Sequence, residues 1–295
     1  MFSLTNKIIW AAVGLAVLVG VGVFYLESGT PPREPEPALK VKELAVPRPE
    51  FELVGKSVQG REIRAYTYGS GPIHLLLVGG MHGGYEWNSV VLSFELMDYL
   101  KAYPAVIPTS TTIVIIPNLN PDGVYKIVGK EGRFAVTDVP TIDSSPGRFN
   151  AHDVDLNRNF DCKWQPKGTW RTKTVSAGTA AFSEPESLAL KKYVEHFKPR
   201  AVVFYHSQAN AVYASECSEG ILPETLDIMN VYAKAANYPA VKSFDAYEVH
   251  GDAEGWLASI HIPAITVEMS THDTIEWDKN LAGVKALLAQ YAHAN

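Results

Sequence analysis

Hydrophobic and polar positions divide the 295-residue chain into three unequal parts. Residues 8–26 read IIWAAVGLAVLVGVGVFYL, an uncharged run about as long as the roughly 20 residues that cross a bilayer core. Residues 28–49 contain PPREPEP and almost no large apolar side chains. Such a composition buries too little surface to offset ordering entropy, and its prolines favour an extended spacer. From residue 50 to 295, short apolar runs alternate with longer amphipathic stretches. IHLLLV (73–78), TTIVIIP (111–117) and AVVFY (201–205) are apolar enough to be strands buried on both faces, and 62–68 and 264–267 read as further strands. Helices are predicted over 86–102, where Val90, Val91, Phe94, Leu96 and Leu100 form an imperfect apolar stripe, and over 184–197, 222–237, 254–260 and 274–292. Strands separated by helices predict a single α/β domain, a mixed, mostly parallel twisted sheet covered by helices on both faces. Residues 130–153 have little periodicity and many polar side chains, which marks a long surface loop of the kind that carries a site.

Charge orients the first part. Lys7 and the amino terminus precede the apolar run, and Glu27 and Glu34 follow it, so the N-terminus is expected in the cytoplasm and the rest outside. The rival is a cleaved signal sequence. Its apolar region is usually about 7–15 residues and ends at small residues, which Tyr25-Leu26-Glu27-Ser28-Gly29 supplies poorly. The expected organisation is a single-pass membrane anchor over 1–27, a proline-rich linker over 28–49, and an extracytoplasmic catalytic domain over 50–295, periplasmic or on the cell surface. The whole chain carries 26 Lys and Arg against 32 Asp and Glu, a formal charge of -6. That balance offers no basic stripe for phosphates and argues against a nucleic-acid partner.

The candidate chemistry sits where strands end. Val78-Gly79-Gly80-Met81-His82-Gly83-Gly84-Tyr85-Glu86 places a histidine and a carboxylate just past a buried strand, and His206 follows AVVFY. In open α/β sheets, ligands bind at the carboxyl ends of strands. Two histidines and one glutamate with a position left for water form a standard catalytic zinc set. Taken singly, each histidine is more often structural. No Gly-x-Ser-x-Gly elbow supports serine hydrolysis.

Five ordered segments make the combination specific: Gly55-Lys56-Ser57-Val58-Gln59-Gly60-Arg61, the His82 to Glu86 segment, Asn120-Pro121-Asp122-Gly123, Val154-Asp155-Leu156-Asn157-Arg158-Asn159-Phe160, and Tyr205-His206-Ser207, followed by a late-strand Glu268. Over residues 50 to 295 the chain resembles the zinc metallocarboxypeptidases of the carboxypeptidase A/B type, in particular bacterial, membrane-anchored members. The resemblance implies one zinc ion per chain held by His82, Glu86 and His206. Asp155 matches the carboxylate that orients the first histidine, and Arg148, nine positions before Asn157, matches the oxyanion-stabilising arginine. Asn157 and Arg158 match the pair that grips the substrate's terminal carboxylate. Tyr247, four before Gly251, matches the mobile tyrosine that closes over it, and Glu268 matches the general base. One departure stands out: three residues separate His82 from Glu86 where the family usually has two. A local bulge at the glycine pair would absorb the extra residue, and a plain helix-start charge is the other reading of Glu86.

The implied activity is hydrolysis of a C-terminal amide by a zinc-promoted water, with Glu268 handling the proton. Glu254, three past Gly251, aligns with the pocket-floor residue that sets side-chain preference. A carboxylate there would attract lysine, arginine or the amine end of diaminopimelate in a cell-wall stem peptide, with Asp252 adding charge; otherwise Glu254 only starts a helix. Outside the cytoplasm, Cys162 and Cys217 would form a disulfide clamping the segments after Asn157-Arg158 and His206, with two free buried thiols as the alternative. Peptide or peptidoglycan substrates, the membrane and no nucleic acid are the expected partners of a monomer. Two alternatives use the same fold: an inactive peptide- or peptidoglycan-binding protein, and a zinc amidase or deacylase acting on non-peptide carboxylates.

Overall fold

The apolar runs form the centre of an eight-stranded sheet in the computed structural model, which describes residues 51–292. The strands are β1 (Glu52–Lys56), β2 (Glu62–Gly69), β3 (Ile73–Val78), β4 (Thr111–Ile116), β5 (Lys167–Trp170), β6 (Lys173–Ser176), β7 (Ala201–Ser207), β8 (Ala211–Ala214), β9 (Glu216–Cys217), β10 (Gly220–Ile221), β11 (Ala240–Val241) and β12 (Ala264–Met269). The main sheet runs β1-β2-β4-β3-β7-β12-β8-β11, while β5-β6 and β9-β10 form two small hairpins. The helices are α1 (Trp87–Ala102), α2 (Pro121–Val128), α3 (Pro185–Phe197), α4 (Pro223–Ala236), α5 (Ala253–Ser259) and α6 (Trp277–Tyr291). The expected membrane run at 8–26 and linker at 28–49 lie outside the described residues. Among the described residues, no helix is long and apolar enough to cross a membrane.

The expected mixed, mostly parallel sheet is present: β4, β3, β7 and β12 are parallel at the centre, and β8 and β11 are parallel at one edge. The pairs β1-β2, β2-β4 and β12-β8 are antiparallel. Chain length explains the reversals. A parallel neighbour needs a crossover of about a dozen residues or more, whereas residues 70–72 link β2 to β3 and residues 208–210 link β7 to β8. Each short link turns its strand round, and β4 and β12 fill the gaps.

Side-chain alternation makes two cores. Leu75, Leu77, Ile113, Ile115, Val203, Tyr205, Ile265 and Val267 pack toward α1, α4 and α6. Leu76, Val78, Val114, Ile116, Val202, Phe204 and Ala264 pack toward α3 and α5. The expected cover of helices on both faces is therefore present. The period of two puts His206 and Glu268, at the carboxyl ends of β7 and β12, on the α3/α5 face, where they are direct register partners.

The segment carrying Asn157 and Arg158 is tied to the residues before α5. Phe160 N–H donates to the Gly251 carbonyl at 2.8 Å, and Gly251 N–H donates to the Cys162 carbonyl at 2.8 Å. Gly251 has φ of 71°, and a Cβ there would lie 2.4 Å from the Arg158 carbonyl oxygen, so only glycine fits. A disulfide joins Cys162 to Cys217 across 55 residues. Thiol titration of the denatured, unreduced protein should find no free cysteine, and two titratable thiols would exclude the bridge. Replacing both cysteines by serine should cost about 3–5 kcal/mol in denaturant unfolding on the chain-entropy account.

Candidate active site

The site begins in the turn between β3 and α1. Tyr85 and Glu86 N–H groups both reach back to the His82 carbonyl, at 3.1 and 3.4 Å. His82 and Glu86 are thus four residues apart on one helical turn and face the same way, as an i,i+3 pair would. The extra residue in this motif is absorbed by that turn. Its tightness depends on backbone contact: Gly83 has φ of 45°, and a Cβ there would lie 2.7 Å from the Gly147 carbonyl oxygen. The 3-10 turn Ser145–Arg148, inside the long loop expected over 130–153, therefore packs against the turn that holds His82 and delivers Arg148.

The three expected ligands converge. His82 Nδ1 lies 2.8 Å from Glu86 Oε1, His206 Nδ1 lies 3.0 Å from Glu86 Oε2, and the two Nδ1 atoms are 3.2 Å apart. All three side chains are more than nine-tenths buried. Two donors about 2.0–2.1 Å from one tetrahedral ion stand roughly 3.3 Å apart, so the donor types and spacing suit zinc. The charges suit it too. Burial raises the Glu86 pKa, but His82 and His206 outweigh it and hold the carboxyl well below its usual range. Burial lowers His206, but Glu86 and Glu254 outweigh it and hold the imidazole well above its usual value. A cluster that favours a proton on His206 also favours a divalent cation among the same donors, which must displace that proton.

The far ring nitrogens meet carboxylates. His82 Nε2 is 3.3 Å from Asp155 Oδ1. Asp155 Oδ2 takes Arg148 Nε at 2.9 Å and Arg148 Nη2 at 2.8 Å. Burial pushes the Asp155 carboxyl up, yet the Arg148 and Arg158 charges hold it well below its usual value. His206 Nε2 is 3.4 Å from Glu254 Oε1, which also accepts from Thr266 Oγ1 at 3.0 Å. This alters the reading of Glu254 as a free pocket floor: it lines the cleft, but one oxygen is committed to His206 and Thr266. It also stands in the first turn of α5.

A cavity of about 780 Å³ opens beside the ligands and is lined by Arg148, Asn157, Arg158, Tyr247, Glu254 and Glu268. Ala209 N–H donates to Glu268 Oε2 at 3.2 Å. Burial, reinforced by the Glu86 charge, pushes the Glu268 carboxyl up to about 7. Asn157 Oδ1 accepts from Ala253 N–H at 2.9 Å, which turns its amide donors elsewhere. Arg158 donates from Nε and Nη2 to the Thr169 carbonyl and from Nη1 to the Asn157 carbonyl, using three of five N–H groups. The Tyr247 ring centroid is 6.0 Å from the Arg158 guanidinium carbon.

Sequence reasoning passed over the wall formed by Tyr85 and Trp170, whose centroids are 5.2 Å apart, with Arg148 4.8 Å over Trp170. Trp170 ends β5, and the hairpin turn Arg171-Thr172 carries no glycine or asparagine to announce it. It also missed His272, whose ring lies tilted 4.4 Å from that of Tyr85 and whose Nδ1 lies 2.6 Å from Ser207 Oγ. Only its place after the last strand could have marked it.

Comparison with known proteins gives a family and a fold. The zinc carboxypeptidase family model matches residues 44–277. Gamma-D-glutamyl-L-diamino acid endopeptidase 1 of Lysinibacillus sphaericus is 22% identical over 257 residues, covering 79% of this chain and 63% of that protein. Murein peptide amidase A of Escherichia coli K12 is 31% identical over 131 residues, covering 41% of this chain and 50% of that protein. The matches thus span less than two thirds of these relatives' length. The crystal structure of a murein-tripeptide amidase from Escherichia coli O157 superposes with a TM-score of 0.57 at 21% identity, covering 84% of this chain and 94% of that one. Carboxypeptidase A from Helicoverpa armigera gives 0.63 at 19% identity, covering 83% and 68%. The chain belongs to the zinc carboxypeptidase family.

Asp155→Asn should leave Arg148 buried without its partner and destabilise the protein by about 3–5 kcal/mol, read by chemical denaturation. A loss under about 1 kcal/mol would remove Asp155 from this central position.

Proposed function

We propose that this chain is an extracytoplasmic zinc metallocarboxypeptidase that hydrolyses the C-terminal amide of peptides, with cell-wall stem peptides as its substrate class. The observation that carries the reading is the convergence of His82 Nδ1, His206 Nδ1 and the Glu86 carboxylate in a cleft that also holds Glu268, Arg148, Asn157 and Arg158. The names of the two bacterial relatives support the substrate class. Where a diamino acid ends the peptide, the bond joining it to glutamate is itself a C-terminal amide, so an amidase and a carboxypeptidase would break the same kind of bond. The apolar run at 8–26 supports an anchored, extracytoplasmic address, with 28–49 as linker and a monomeric catalytic domain after it. The Cys162–Cys217 disulfide fits an oxidising compartment.

His82, Glu86 and His206 would hold the zinc, which supplies Lewis-acid chemistry, acidifying water and polarising a carbonyl. Glu268, as a carboxylate, takes the proton of the attacking water and later delivers it to the leaving amine. Arg148 is a fixed, buried positive charge in the cleft wall, held by Asp155, and is placed to stabilise a developing oxyanion. The two uncommitted N–H groups of Arg158 and the amide donors of Asn157 suit the two oxygens of a terminal carboxylate. Tyr247, half-buried against the Tyr85 and Trp170 wall, covers that end.

Glu268→Gln should keep zinc and lose about 10²–10⁴ in kcat, the range of general acid–base catalysis. Because the base works only when ionised, wild-type activity should fall as pH drops through about 7 or somewhat lower, since a nearby cation favours the carboxylate. Near-wild-type turnover in the variant would remove Glu268 as the base. A second measurement tests the substrate reading: amidating the C-terminus of a cleaved peptide should abolish hydrolysis, and equal rates for free and amidated peptides would exclude a carboxypeptidase.

A further inference from the structure

We propose that Glu254 is a positioning residue for the metal centre: its carboxylate fixes the His206 ring from the Nε2 side, as Asp155 does for His82, instead of reading the substrate's side chain. The inference rests on the metal-centre reading of His82, Glu86 and His206.

Geometry gives the two histidines matching surroundings. Each presents Nδ1 to Glu86 and Nε2 to a second buried carboxylate, 3.3 Å away for Asp155 and 3.4 Å for Glu254. Glu254 is 4% exposed, and His206 Nε2 has no hydrogen-bond partner of its own among the described residues. An imidazole that ligates through Nδ1 carries its proton on Nε2, and a carboxylate opposite that nitrogen selects the tautomer and fixes the ring. Thr266 Oγ1 donates to the same Glu254 oxygen at 3.0 Å and sits on the β12 face that carries Glu268.

The backbone around Glu254 is equally fixed. Asp252 accepts from Gly255 N–H at 2.7 Å, Ala253 N–H donates to Asn157 at 2.9 Å, and Gly251 N–H donates to Cys162 at 2.8 Å. These bonds hold the first turn of α5 against the segment that carries Asp155. A side-chain-reading carboxylate needs its oxygens turned to the substrate, whereas Oε1 of Glu254 is turned to a ligand ring and a hydroxyl.

The test measures zinc affinity of the full chain by chelator competition, together with the visible spectrum of the cobalt-substituted protein. Glu254→Ala should weaken zinc 10- to 100-fold, the usual effect of losing an outer partner, and should alter the cobalt spectrum. Glu254→Gln, which keeps an acceptor and the shape, should give a smaller loss of at least threefold. It should also leave unchanged the wild-type ranking of peptides ending in Lys, Phe and Glu. Asp252→Asn removes a half-buried carboxylate one residue before α5 and controls for general damage there; it should stay within threefold of wild type. Zinc affinity of both Glu254 variants within threefold of wild type would overturn the proposal, as would an altered ranking in Glu254→Gln at undiminished affinity. If the alanine variant does not fold, the glutamine variant decides by the same limits. Zinc binding by the wild-type chain decides the metal-centre reading separately.

Discussion

The site depends on one buried carboxylate. Asp155 takes two N–H groups of Arg148 on one oxygen, stands against His82 with the other, and accepts the Asn157 N–H at 3.1 Å. A candidate metal ligand, the candidate oxyanion residue and the start of the candidate carboxylate grip are therefore located by a single side chain. Burying a carboxylate is tolerable only when opposite charge and donors surround it, and Asp155 has both. Its backbone is fixed as well, since Asp155 N–H donates to the Ser176 carbonyl at 3.0 Å and so hangs the segment on β6.

The sheet does the coarser positioning. Short links force β2 and β8 to run against the central strands, which leaves β3, β7 and β12 parallel with their carboxyl ends side by side. The turn after β3 supplies His82 and Glu86, the end of β7 supplies His206, and the end of β12 supplies Glu268. Register fixes His206 beside Glu268, and a slip of one residue would send both into the opposite core. Placing these groups on or next to paired strands gives them a rigidity that a loop alone would lack.

This division explains what the sequence discloses. Runs such as IHLLLV and AVVFY stand out because strands buried on both faces are apolar without interruption. The hairpin of β5 and β6 does not, because KGTW and KTVS mix charge with bulk and flank an unremarked turn. The helix α2 hides behind Asn120-Pro121-Asp122-Gly123, which reads as a turn although Asn120 accepts from Gly123 N–H and caps the helix. The candidate ligands His82, Glu86 and His206 were legible from motif order, but the i,i+4 geometry of the first two was not, since it depends on Gly83 meeting the Gly147 backbone. Glu254 shows the same boundary. Its distance from Gly251 is written in the chain, whereas the direction of its side chain follows from how α5 rests on β12.

Charge balance links these pieces. Glu86, Asp155 and Glu254 bring three buried carboxylates to the site and Glu268 a fourth, half-buried one, while Arg148 and Arg158 bring two fixed positive charges. The remainder is negative in a region where unpaired charge is costly. The same charges shift proton affinities: Glu86 and Glu254 hold the His206 imidazole above its usual value, and burial next to Glu86 raises Glu268. A proton on His206 offsets part of the imbalance, and a divalent cation held by His82, Glu86 and His206 would offset more of it. The same excess of carboxylate that suits a metal among His82, Glu86 and His206 also raises the proton affinity of Glu268 beside them, so that both are consequences of one electrostatic arrangement.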